Sequence, residues 1–213
     1  NMGANTNLLL SGPDNNTTGD PFPSVFTRAN ISLDPTSTVH FIKTERDDGT
    51  FKSGQQISTT PIYGNIVCEG FEVGASRDNG AKTLIGGNTL RMNGSLFLRD
   101  GVQLEDNGNQ ITMGDDGNVD DQINMAQNTI LIIGEGGNNT TFPTGYQSVT
   151  ASNTLGGEAI IRYNGNGAQN IIAMDGGYPK LEIQNAGVKV LVDDIEILTS
   201  IELKNNITLD NSG

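Results

Sequence analysis

The chain has 213 residues and a net charge of −13, from 25 acids against 12 bases, so it lacks the basic footprint that phosphate recognition needs, which excludes nucleic acid as a partner. Cys68 is the only cysteine, which excludes an intramolecular disulfide and a cysteine-rich metal site. No stretch approaches the ~20 apolar residues of a membrane span, and the N-terminus has no basic segment leading into an apolar one.

Apolar residues make up 34% of the chain and aromatics 5%, with no Trp, while 28 residues are Gly. Such a chain is too apolar and too periodic for disorder, yet thin for a thick compact core. It suits a narrow stack of Ile, Leu and Val between many turns. No window carries a 3.6-residue period, so little helix is expected.

Read in order, the chain repeats itself, and a long-period repeat decides the fold before any local pattern does. Asn1-Met2 matches Asn124-Met125, Leu8–Leu10 matches Leu131–Ile133, and Asn15–Thr18 matches Asn138–Thr141, all at an offset of 123. Ser24–Phe41 answers Ser148–Tyr163, with His40 meeting Arg162. Gly54-Gln55-Gln56 falls on Gly167-Ala168-Gln169, and Tyr63 on Tyr178. The first copy then carries extra residues around Phe71–Gly80, and the offset drops to 105. There Leu90, Met92, Leu96, Leu98, Val102 and Leu104 fall on Ile195, Ile197, Ile201, Leu203, Ile207 and Leu209. The residues between them change freely while the apolar pattern stays. We read two tandem copies, 1–123 and 124–213. The second is incomplete, since Gly213 meets Gly108 before a counterpart to Gly114–Asp121 is reached. That break, with the opening Asn-Met-Gly, predicts a piece of something longer with further copies beyond one end or both. No Gly/Ser- or Pro-rich linker separates the copies, so one continuous stack is expected.

Within each copy the apolar residues come as i, i+2 pairs, which place two side chains on one face of a short strand. Leu90/Met92, Leu96/Leu98 and Val102/Leu104 recur every six residues, and Ile111/Met113 follows after nine, so one round from Leu90 to Ile111 takes 21 residues. Asn93-Gly94, Asp100-Gly101 and Asn107-Gly108 supply the turns between. Strands this short suit a parallel β-helix (β-solenoid), in which each coil turns several corners and stacks on the next. Asn-Gly is also a hairpin signal, so antiparallel hairpins built into tandem β-sandwich domains are the alternative. The NNTT segments are polar and are expected to project as surface loops.

Candidate chemistry is sparse. Asp116, Asn118 and Asp120 stand in a D-x-N-x-D spacing within GDDGNVDD, from which a tight turn could offer three oxygens to calcium. An acidic turn between the copies is the plainer reading, and no other cofactor is expected. His40 is the only histidine, and its partner Arg162 is chemically different, so an outward surface position is expected rather than catalysis. Arg91 and Arg99 lie near Glu105 in sequence, and their counterparts Glu196 and Lys204 point to solvated charge. Cys68, in IVCEG, reads as a small buried residue. Tyr63 and Tyr178 recur in register, either packed at a corner or forming an aromatic ledge for a glycan. Sequons occur at Asn15, Asn16, Asn30, Asn93, Asn138, Asn139 and Asn206, many of which arise by chance in an Asn/Thr-rich chain.

Asn164–Ile171 (NGNGAQNI), Tyr178–Ile183 and Val188–Leu209 resemble the repeat modules of large secreted surface proteins of Bacteroidota, and in the first copy Tyr63, Ala81–Leu84 and Leu90–Leu104 carry the same pattern. The resemblance covers most of 38–114 and 158–213. It implies a right-handed parallel β-helix, export across the outer membrane, usually by the type IX system, and service as a stalk or adhesin rather than as a catalyst. The expected protein is therefore a non-enzymatic, extracellular structural repeat. Its expected partners are other copies of the repeat, neighbouring domains of a longer chain and surface glycans. A self-assembling filament subunit and a carbohydrate-binding or carbohydrate-active β-helix are the alternatives.

Overall fold

The structure, a computed structural model, describes residues 2–11, 31, 33–42, 55–69, 71–73, 76–78, 81–87, 89–99, 101–114, 121–134, 139–205 and 207–211. Among these residues there are strands and turns and no helix. The chain opens with β1 (Asn7–Ser11). It continues through β2 (Thr38–Ile42), β3 (Gln55–Ser58) and β4 (Ile62–Tyr63). A further round holds β5 (Asn65–Glu69), a small hairpin of β6 (Phe71–Val73) and β7 (Ser76–Asp78), β8 (Ala81–Ile85) and β9 (Leu90–Met92). Next come β10 (Leu96–Arg99), β11 (Gln103–Glu105) and β12 (Ile111–Thr112), then β13 (Gln122–Met125) and β14 (Ile130–Ile133). The last part contributes β15 (Ser148–Ala151), β16 (Ile160–Tyr163), β17 (Gln169–Ile171), β18 (Tyr178–Ile183), β19 (Gly187–Leu191), β20 (Ile197–Leu203) and β21 (Ile207–Asp210).

The chain deals these strands out in rotation. A first sheet runs β1-β2-β5-β10-β13-β15, a second β3-β8-β11-β14-β16-β18-β20, a third β4-β9-β12 and a fourth β17-β19-β21. Every pairing in these sheets is parallel, and among the described residues only the β6–β7 hairpin is antiparallel. This overturns the antiparallel sandwich alternative. The Asn-Gly and Asp-Gly steps turn corners between sheets instead of closing hairpins: Asn107 and Gly108 have φ of 47° and 72°, and Gly101 has 69°. Parallel neighbours need long crossovers, and here the crossover is the rest of the round. The architecture is all-β with mostly parallel strands and is consistent with a β-solenoid.

The expected round is present where the sequence placed it, since Leu90 of β9 pairs with Ile111 of β12. Further along, Ile160 pairs with Lys180 and Lys180 with Ser200, steps of 20 residues. The i, i+2 pairs supply the inward faces. In the first sheet Val39, Ile66, Leu96 and Ile123 form one stacked column, and Phe41, Cys68, Leu98 and Met125 the next. In the second, Leu104, Leu131, Ile161 and Leu181 stack in the same way. All are buried and belong to one apolar core that draws on every sheet of the stack. Each such aliphatic side chain contributes about 1.5–3 kcal/mol by leaving water.

Candidate functional site

Asp116, Asn118 and Asp120 lie outside the described residues. Among the described residues no group of three or more His, Cys, Asp or Glu side chains is placed to hold a metal ion.

The outer face of the first sheet carries His40, whose neighbours Val39 and Phe41 point into the core. Its Nδ1 lies 3.7 Å from Glu69, and Arg99 reaches the same carboxylate at 3.5 Å while its guanidinium sits 5.5 Å from the centre of the Phe97 ring. Arg91, Arg99 and Glu105 are not brought together, because β9, β10 and β11 belong to three different sheets. Glu105 instead accepts from Gln103 at 2.7 Å and Thr83 at 3.2 Å. An open depression of about 360 Å³ over the first sheet is lined by Phe97, Arg99, Asn124 and Thr150 with their neighbours, and none of its lining residues is an acid or a histidine. Its one charged lining residue is Arg99.

Tyr63 and Tyr178 are fully buried. Each ring therefore lacks a free face for a sugar, and each hydroxyl closes a corner by donating to a carbonyl a few residues back, Tyr63 to Ser58 at 2.9 Å and Tyr178 to Ile172 at 2.6 Å. Tyr163 meets Tyr178 hydroxyl to hydroxyl at 3.0 Å, and burial pushes both phenols up from their ordinary range. Cys68 is buried as its sequence suggested, and loss of solvation raises its thiol to about 12, far from a reactive thiolate at neutral pH.

The chemistry that sequence reasoning missed is internal. In the second sheet the column that becomes Leu104 and Leu131 begins with Gln55 and Lys82. In the fourth sheet Gln169, Lys189 and Leu209 stack in the same order. Both glutamines and both lysines are buried. Gln55 Nε2 donates to the carbonyl of Leu10 at 2.7 Å, and Gln169 Nε2 to that of Ile133 at 3.1 Å. Lys82 Nζ donates to Gln55 Oε1 at 2.6 Å, whereas Lys189 Nζ donates to the carbonyls of Gly165 and Gly167 at 2.7 and 3.1 Å. Desolvation lowers the Lys189 ammonium below its ordinary range. Asp106 is a further buried polar group: both its oxygens accept the Gly134 amide, at 3.0 and 2.9 Å, and Thr140 Oγ1 also donates to it. Gln55, Gln169, Lys189 and Asp106 satisfy backbone atoms where strands end inside the stack, and Lys82 braces the Gln55 side chain, which is a structural task. The usable signal was a Gln or Lys standing where the i, i+2 pattern asks for an aliphatic residue.

The outer face of the last rounds is held by charge. Glu182 is almost fully buried between Arg162 at 2.8 Å, Lys180 at 3.0 Å and Lys204 at 3.8 Å, and Lys180 and Lys204 both reach on to Glu202 at 3.3 Å. Burial pushes the Glu182 carboxyl up, but hydrogen bonds from Lys180 and Arg162 outweigh it and hold the group below the usual carboxylate range. On β20 and β21 the inward side is open among the described residues. Ile201 stacks over Leu181, Leu203 over Ile183 and Leu209 over Lys189, and all three are exposed.

Compared with known proteins, no family model, curated protein or solved structure matches the chain.

Proposed function

We propose that this protein is a non-enzymatic, extracellular structural repeat, a segment of a cell-surface stalk, fibre or adhesin. In this reading the sheets close into a right-handed parallel β-helix, with the third and fourth sheets forming one wall. Right-handedness follows the near-universal preference of parallel crossovers. The observation that carries the reading is the continuous parallel stack, whose side chains spend themselves on core columns and corner hydrogen bonds. A rod of this kind acts by its stiffness and by what its loops present.

Two tandem copies, 1–123 and 124–213, are supported by contacts as well as by sequence. Gln55 on Leu10 and Gln169 on Ile133 are the same contact made twice, as are the two tyrosine corners. The second copy sits one wall further round. The column Phe41, Cys68, Leu98 in the first sheet answers Tyr163, Ile183, Leu203 in the second, and Gln55, Lys82, Leu104 in the second answers Gln169, Lys189, Leu209 in the fourth. Export by a type IX route and a calcium ion at Asp116, Asn118 and Asp120 belong to the same proposal.

Antibody raised against the chain tests the location on intact cells of its source. Staining without permeabilisation, removed by external protease, is expected. Staining that needs permeabilisation would sink the surface role.

A further inference from the structure

We propose that Lys82 and Gln55 join in an intramolecular isopeptide bond, a covalent tie between two adjacent strands inside the stack. The two residues are paired in register on the parallel strands β3 and β8, and both are buried, Lys82 at 1% and Gln55 at 5% exposure. Lys82 Nζ lies 2.6 Å from Gln55 Oε1, so the amine rests on the carboxamide that it attacks. Gln55 is held from its other side, because its Nε2 donates to the Leu10 carbonyl at 2.7 Å. Fixing both reacting groups in one place supplies the proximity that amide exchange in solution lacks, and burial keeps competing water away.

The step balances without a co-reactant: an ammonium and a carboxamide become a secondary amide and a free ammonium ion. One Nζ proton passes to Oε1 along the hydrogen bond already in place, and the nitrogen lone pair it leaves adds to Cδ. Nε2 then takes one proton from Nζ, the Cδ–Nε2 bond breaks, and the departing ammonia removes the proton from Oε1.

The second copy holds the same pair without that alignment. Gln169 and Lys189 are in register on β17 and β19 and are also buried. There Lys189 Nζ is drawn to the carbonyls of Gly165 and Gly167 at 2.7 and 3.1 Å, while Gln169 Oε1 accepts the Gly165 amide at 3.2 Å. The bond therefore belongs to the first copy. It closes residues 55–82 into a loop, which restricts the unfolded chain, and it makes tension across β3 and β8 fall on a covalent bond as well as on a ladder of hydrogen bonds. It depends on the pairing of β3 with β8 and is independent of where the protein resides.

Intact-mass spectrometry of the full chain, purified folded and then denatured, tests the bond. The expected mass is that of the sequence less one ammonia. Trypsin should then release a branched peptide in which residues 53–77 are joined to residues 78–91, uncut after Lys82. Lys82→Arg keeps a cation at the site but removes the amine, and should restore the full mass. Lys189→Arg should leave the loss in place. The unvaried chain decides by itself, so the result stands even if Lys82→Arg fails to fold. A full mass in the unvaried chain would overturn the proposal. So would an ammonia loss carried on a linear peptide and reversed by hydroxylamine, which marks a succinimide at a step such as Asn93-Gly94 or Asn107-Gly108.

Discussion

Leu98 and Leu203 hold matched places in the repeated sequence, and each stacks on an aliphatic or thiol side chain of the round below it, yet one is 1% exposed and the other 50%. Leu104 and Leu209 repeat the contrast at 1% and 38%. Neither residue type nor strand geometry differs enough to explain this. The difference lies in the next round: Met125 and Leu131 cover the first pair, and among the described residues nothing covers the second. In a stacked fold burial is conferred by a neighbour, so a matched pattern is core in one place and exposed in another.

The sharpest way to break that comparison is to titrate it. Cys68 lies one rung below Leu98, and the matching rung below Leu203 is Ile183. The Cys68 thiol is raised from 9.0 to about 12 by burial, so the unfolded chain releases its proton first. The stabilisation is complete below pH 9 and is lost as pH rises toward 12, by up to about 4 kcal/mol. Urea midpoints measured across that range should fall steeply, and Cys68→Ala should flatten the fall up to the point where the raised tyrosines Tyr163 and Tyr178 take over. An unchanged slope would mean that the covered wall is wet.

Truncation compares the two ends directly. Leu98→Ala removes atoms from a closed column and should cost about 3 kcal/mol by cavity formation. Leu203→Ala should cost less than about 1 kcal/mol in the free molecule. Denaturation of both variants at one protein concentration decides, and equal losses would show that the end is already covered.

Much of this contrast could be read from the chain before its structure. The i, i+2 pairs named the inward residues of β9, β10 and β11, and the step from Leu90 to Ile111 marked one round, because a period of two is set by the pleat alone. The matched offsets paired Leu98 with Leu203, but a repeat says that two segments are alike and not whether each has a neighbour. Pattern reasoning also set Gln56 against Gln169. The hydrogen bonds instead make Gln55, one residue earlier, the counterpart, since Gln55 and Gln169 each head a column under a lysine. A hydropathy pattern can flag a Lys at an inward position but not its role, which depends on which carbonyls end beside it. Arg91, Arg99 and Glu105 looked like a cluster for the opposite reason: short strands separate residues that are close in sequence onto different walls.

Charge on the outside of the last rounds offers a further test of the uncovered end. Glu182 is held by Arg162, Lys180 and Lys204, and its carboxyl is lowered on balance, so its contribution is present at neutral pH and lost as acid protonates it in the fold. Glu182→Gln should cost about 2 kcal/mol at pH 7, since charge-assisted bonds are lost and three cations are left together. The cost should shrink as pH falls through the lowered range in which the folded carboxyl takes up its proton. A loss that ignores pH would assign Glu182 to packing.

The smallest effect separates the two tyrosine corners. Tyr63 donates to the Ser58 carbonyl, so Tyr63→Phe removes one buried hydrogen bond and should cost about 1 kcal/mol. Tyr178 donates to Ile172 and also meets the Tyr163 hydroxyl. Removing the Tyr178 hydroxyl therefore strands two groups, and Tyr178→Phe should cost about 2 kcal/mol. Both rings remain, with Phe41 edge-on to Tyr63 at 6.2 Å and Phe142 edge-on to Tyr178 at 6.2 Å, so neither variant opens a cavity. Tyr163→Phe placed on top of Tyr178→Phe should then cost less than it does alone, because its partner has already gone. Additive losses would mean that the hydroxyl pair carries no coupling.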